Sequence, residues 1–137
     1  MGKAKKIVLV CCIVLVLIVF MEFLCIQLEL FDELPYAGIV FHLVGGMAVG
    51  VGIYHLFQSY LAALPWYIKG CFIIGAVSFA AIGWEGFEWA FTHFYYHNNL
   101  QGSLDNTMGD LYVGVSGGCL AAGWIVVSRQ WSVNSGQ

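Results

Sequence analysis

Residues 71–89 read "CFIIGAVSFAAIGWEGFEW". The stretch opens with no charged residue, then carries Glu85 and Glu88 one helical turn apart, flanked by Trp84 and Trp89. About 20 apolar residues rising ~1.5 Å each cross the hydrocarbon of a bilayer. With its flanks, the stretch therefore reads as a transmembrane helix over 67–94. Backbone groups in lipid must be bonded internally, which leaves helix as the reading for such a run. Two carboxylates then lie inside a membrane span, and something must make that tolerable.

The whole chain supports this setting. Of 137 residues, 61% are apolar and only 9% charged, whereas an average soluble domain carries about 25% charge. So few charges cannot cover a soluble surface of this size, and the length suits one domain. A net charge of −3 without a basic patch excludes nucleic acid as an expected partner. Cys11, Cys12, Cys25, Cys71 and Cys119 all fall in apolar runs. Their spacing fits no zinc or redox motif, so they read as small hydrophobes. The start, "MGKAKKIVLVCCIVLVLIVF", resembles a secretory signal. No small-residue cleavage site follows, and the run continues to Gln27, so it reads as a retained first span.

Runs of spanning length fall at 7–27, 37–58, 67–94 and 108–128. Short connections between them predict an all-α integral membrane protein, a four-transmembrane-helix bundle running up-down-up-down. Pro35 and Pro65 stand just before the second and third helices, where proline is tolerated. Lys3, Lys5 and Lys6 precede the first span, Lys69 begins the third and Arg129 follows the fourth. The positive-inside rule then puts both termini in the cytoplasm. Glu29, Asp32, Glu33 and Asp105 fall on the outer side. Trp66, Tyr67 and Trp131 suit the inner interface, and Tyr36, Tyr95 and Tyr96 the outer one. The expected organisation is a basic cytoplasmic N-terminus over 1–6, a transmembrane domain over 7–128 and a cytoplasmic tail over 129–137, with "WSVNSGQ" read as disordered. The expected location is a bacterial inner membrane. Gly46 with Gly50, and Gly114 with Gly118, form two GxxxG patterns of the kind that lets helices approach closely in lipid.

The polar residues inside the spans gather towards the outer end. His42 lies about a turn inside helix two, Glu85 and Glu88 in the outer part of helix three, and Asp110 near the start of helix four. At about 100° per residue, Ser78, Ala81, Glu85, Glu88 and Thr92 share one stripe. His42 shares a face with Gly38, Gly45, Gly46 and Val49, and Asp110 with Gly114, Gly117 and Ala121. Both polar groups thus sit on small-residue faces, which should point inward. A carboxylate near the bilayer centre costs roughly 2.5–3.5 kcal/mol, less near the interface. No Lys or Arg lies in the outer half of a span to pair with these acids. They are protonated, line a water-filled cavity or hold a cation. Carboxylates plus one imidazole suit zinc, manganese or iron, and tolerate magnesium with retained water. The expected ligands of such a divalent metal are His42, Glu85, Glu88 and Asp110, with Glu88 and Asp105 as candidate catalytic acid–base groups.

Blander readings stand beside these. Glu22 reads as reaching up to the interface. Asp105 and Thr107 read as caps of helix four, since "SLDNTMGD" has the form of a turn followed by a helix start. His93 and His97 read as solvated, and His55 as an inner-interface residue. Trp84 and Trp89 read equally well as membrane-belt residues or pocket walls.

Three motifs, "HLVGG" at 42–46, "WEGFEW" at 84–89 and "GSLDNTMGDL" at 102–111, resemble the pattern of small bacterial inner-membrane proteins of the YjdF-type family. More distantly, they are similar to VanZ-like proteins. The YjdF-type resemblance implies no assigned activity. VanZ-like proteins are associated with glycopeptide resistance at the cell envelope, which implies wall or lipid substrates.

Three functions follow as expectations. The first is a membrane enzyme acting on a lipid or lipid-linked envelope substrate through a bound cation. The second is a proton- or cation-coupled carrier or ion-binding subunit, since intramembrane carboxylates mark such pathways. The third is a non-catalytic assembly factor whose acids a partner protein satisfies. Membrane lipid is the expected contact in all three, with self-association or a membrane partner protein as further options. Diiron bundles place Glu-x-x-His on two helices, which this chain does not. Ser78 and Ser103 lack a nucleophile-elbow context, and the glycines form no phosphate-cradling loop.

Overall fold

The computed structural model describes residues 2–31, 33–95 and 103–134, with side chains as far as 128. The readings placed on Asp32, Tyr96, His97, Gly102 and the side chains of Arg129 and Trp131 lie outside the described residues. Five helices follow in order: α1 (Lys3–Gln27), α2 (Ala37–Leu56), α3 (Gln58–Leu61), α4 (Trp66–Phe94) and α5 (Leu104–Asn134). Four of them are long and apolar enough to cross a membrane. The described residues form an all-α bundle of four spans running alternately up and down, so that the start of α1 and the end of α5 lie on one side.

The helix ends follow from local chemistry. α1 closes with Glu29 N–H donating to the Ile26 carbonyl at 3.2 Å and Leu30 N–H to the Cys25 carbonyl at 2.9 Å. This paired closure is the Schellman arrangement, which needs a left-handed residue, usually glycine. Here Glu29 takes that position, with φ of 54°. α2 stops two residues before the sequence pattern suggests, and the chain turns at Phe57 into the single turn of α3. Pro65 caps α4, leaving no amide to satisfy. α5 begins at Leu104, four residues earlier than expected, because the Ser103 hydroxyl accepts the Asn106 amide at 3.3 Å. Ser103 therefore holds the cap expected of Asp105 and Thr107. The backbone of α5 continues to Asn134, so the tail up to that residue is helical rather than disordered.

α2 is the central post, packing against α1, α4 and α5, while α1 packs chiefly on α2. The α2–α5 contact is the closest. A Cβ on Gly46 would overlap the Gly114 carbonyl, and one on Gly117 would overlap the Leu43 carbonyl. Only glycine permits this approach. The second glycine of each GxxxG pattern meets side chains instead. A Cβ on Gly50 would come 2.9 Å from that of Ala121, and one on Gly118 would come 2.9 Å from Val77. Cys11 and Cys25 are buried along α1 and all five cysteines are free, as expected of small hydrophobes.

Towards the termini, the bundle is closed by an apolar core. Ile73 and Val77 are wholly buried there, with Tyr54, Leu61, Ala122 and Ile125 around them. Large apolar side chains such as Phe79 and Trp124 are exposed on the outside, where lipid would cover them. Apolar residues thus fill the half nearer the two ends of the described chain. The polar residues are left to the other end.

Candidate metal centre

His42 enters the bundle about 7.5 Å below the start of α2, and Asp110 about 9 Å below the start of α5, from their residue offsets at ~1.5 Å each. Both helices run down from the same end. The glycine contacts of α2 and α5 lie one turn beneath these two side chains, so this close backbone approach helps set their separation. His42 Nε2 lies 3.7 Å from Asp110 Oδ2. The same Asp110 oxygen accepts a hydrogen bond from Asn106 Nδ2 at 2.6 Å, one turn back along α5.

Glu85 completes the group from α4. One donor atom each from His42, Glu85 and Asp110 lies within 4.8 Å of the others. Ligands at 2.0–2.2 Å around a tetrahedral zinc ion stand about 3.4 Å apart. Side-chain adjustments of up to about an ångström would bring all three into range. Glu85 is 6% exposed, and neither of its carboxyl oxygens has a hydrogen-bond partner among the described residues. Thr107 on α5 lies close enough to act on the carboxylate, without closing a hydrogen bond. A buried carboxylate with both oxygens unmatched is costly, and a proton, a water or a cation would relieve that cost.

Glu88, expected as a fourth ligand, faces elsewhere. Positions three apart on a helix differ by about 60°, and that rotation turns Glu88 from α2 and α5 towards α1. Its Oε1 accepts the Trp84 indole N–H at 2.9 Å, and its carboxyl meets that of Glu22 within hydrogen-bonding reach. Glu22 is thereby corrected. Instead of reaching to the interface it is 7% exposed, with Oε1 4.0 Å from His42 Nε2. It joins the two halves of the polar cluster, the three-donor group on one side and the Glu22–Glu88 pair on the other.

Other residues separate clearly. Trp84 is a pocket wall, whereas Trp89 is exposed and stacks on His93 at 5.4 Å. Thr92 sits one turn above Glu88 with a buried, unpartnered hydroxyl. Asp105 lies exposed in the first turn of α5, apart from the three-donor group. His55 packs edge-on against Tyr54 at the far end of α2. Lys69 donates to the Ala62 carbonyl at 3.1 Å, also at the far end. Among the described residues, the ion-pair contacts of these acids are those with His42.

Below the cluster the small residues leave space. A cavity of ≈ 200 Å³ is bounded by Glu22, His42, Gly46, Ala81, Trp84 and Gly114, among others. The arrangement offers one imidazole and several carboxylate oxygens on the wall of a small cavity within a membrane span.

A family model described as "Predicted membrane protein (DUF2238)" matches residues 4–130. The chain belongs to this DUF2238 family. The match takes in all four spans and every residue of the cluster. It is consistent with the YjdF-type resemblance, while the VanZ-like likeness stays an expectation. No curated protein and no solved structure matches the chain.

Proposed function

We propose that this DUF2238 member is an inner-membrane protein of the bacterial envelope that holds a divalent cation between His42, Glu85 and Asp110. With that cation it acts on a lipid or lipid-linked substrate. The observation that carries the reading is Glu85, whose buried oxygens lack partners and stand beside an imidazole and a second carboxylate from two other helices. Zinc or manganese fits the mixed nitrogen and oxygen donors best. A bound cation would polarise a phosphoryl or acyl oxygen and make a bound water more acidic. Asn106 holds the Asp110 carboxylate in place, and the α2–α5 glycines hold His42 opposite it. Glu88, steadied by the Trp84 indole on the other side of Glu22, is the candidate to take or give a proton. Asp105, exposed at the water-facing end, is the candidate to exchange protons with solvent.

A carrier function fits less well. The core around Ile73 and Val77 closes the inner half with apolar side chains, and a path for ions would have to pass it. An assembly-factor role needs basic groups from a partner to reach a carboxylate that is 6% exposed.

Elemental analysis of the detergent-purified full chain tests the proposal. Close to one divalent ion per chain is expected, falling at least fivefold in Glu85→Gln and His42→Ala. Metal content below a tenth of an ion per chain, unchanged by either substitution, overturns it.

A further inference from the structure

A second cavity lies on the other side of Glu22. It is a cleft of ≈ 400 Å³ between α1 and α4, running along α1 from Val16 to Ile26. Its walls are apolar, with Phe20 and Phe23 on one side and Phe87 and Phe91 on the other. Phe20 and Phe87 are more than half exposed, so the cleft opens sideways, within the spans, towards lipid. Among the described residues, the ionisable groups that line it are Glu22 and Glu88.

We propose that this cleft receives the aliphatic chain of a membrane lipid whose head donates N–H or O–H hydrogen bonds, as an amine or alcohol does, to the Glu22–Glu88 pair. The proposal rests on the lipid-substrate reading above and names the class of lipid.

Three observations select this occupant. The first is size. Ten residues of helix span ~15 Å, so even the whole empty space of the cleft, ≈ 930 Å³, averages about 62 Å² in section, against about 80 Å² for a helix ~10 Å wide. One extended chain fits where a partner helix does not. The second is complementarity. The lining holds carboxyl oxygens and a single indole N–H, which Glu88 already occupies at 2.9 Å. A bare phosphate would find no donor there, whereas a head bringing its own N–H or O–H finds acceptors. The third is continuity. Glu22 and Trp84 line both this cleft and the chamber beside His42, so a head held by Glu22 adjoins the three-donor group.

Photoaffinity labelling of the full chain in nanodiscs tests the idea. The probes are hexadecylamine and hexadecanol carrying a mid-chain diazirine, with the matching hexadecyl methyl ether and hexadecyl phosphate as controls. Saturable labelling of α1 and α4 at the cleft residues is expected for the amine, the alcohol or both. It should exceed labelling by the ether and the phosphate at least fivefold. Val16→Trp, which fills the cleft, should reduce it to the control level. Glu22→Ala with Glu88→Ala should abolish the preference for donor heads while leaving chain labelling by the ether unchanged.

Labelling spread evenly over outward residues such as Phe79 and Trp124, or equal for donor and ether probes, overturns the proposal. So does protection of the cleft by a co-purifying protein or a second copy of the chain. Repeating the measurement in Glu85→Gln separates the two readings. Metal content that does not fall in that variant, with intact cleft labelling, sinks the cation alone, and the expected fall in metal with no cleft labelling in either protein sinks the cleft alone.

Discussion

Glu85 illustrates how one side chain sets the behaviour of a site. Its unmatched oxygens burden the metal-free protein by about 1–3 kcal/mol, the usual cost of an unsatisfied buried group. Glu85→Gln removes the charge and should leave the chelated protein at least as stable as the parent. The same change should erase the stabilisation given by added zinc or manganese, which is about 2.7 kcal/mol at a hundred times Kd. Thermal melts in detergent, with and without chelator, read both effects. Loss of stability with the metal response intact would contradict the assignment. Glu29 gives a second test at this scale. A non-glycine residue in the left-handed region costs about 1–2 kcal/mol, so Glu29→Gly should raise the unfolding free energy by about 1 kcal/mol in denaturant titration. Both carboxylates of 84–89 were legible as inward-facing from their stripe, but not their division of labour. That depends on the ~60° between them and on which neighbour each meets. Glu22 was illegible because α1 is apolar all round. No small-residue face marks its inward side, so its rotation cannot be read from the sequence.

Among the elements, α2 and α5 form the unit on which the rest depends. Gly46→Leu and Gly117→Leu each drive a side chain into a facing carbonyl. Overpacking usually costs about 1–3 kcal/mol, and backbone obstruction should bring the cost to the upper end or beyond. Gly75→Ala is the control, because a Cβ there meets nothing within 4 Å. It should be neutral or stabilising by up to ~1 kcal/mol, as alanine favours helix. Circular dichroism melts of the three variants would show whether the contact carries stability. The helices themselves were legible because hydropathy over about 20 residues leaves little choice in lipid. The glycine faces were legible from their periodicity. The early start of α5 was not, since "LDNT" is polar enough to read as loop. A single hydroxyl, that of Ser103, decides it.

Across the whole molecule the charge distribution predicts orientation. With Lys3, Lys5, Lys6, Lys69 and Arg129 at one end, reporter fusions after residue 134 should show cytoplasmic activity. Alkaline phosphatase inserted in the α1–α2 or α4–α5 connection should be active outside. The opposite pattern would place the cluster against the cytoplasmic leaflet and remove the envelope substrate from its reach. The two sides of the cluster also rest on unlike mechanical supports. His42 and Asp110 are mounted where two backbones touch, and such a joint cannot be shifted without breaking. Glu22 is mounted on a helix fastened along one flank, and its outer side borders an open trough. Sequence drift should therefore fall unevenly. The α2–α5 joint tolerates almost no exchange of glycine, whereas α1 should accept wholesale replacement by another greasy helix that keeps the carboxylate and the two buried cysteines, Cys11 and Cys25, at their heights. A chimera with such a transplanted first helix, assayed for metal content, would show how far one wall can be rebuilt while the opposite wall keeps its grip.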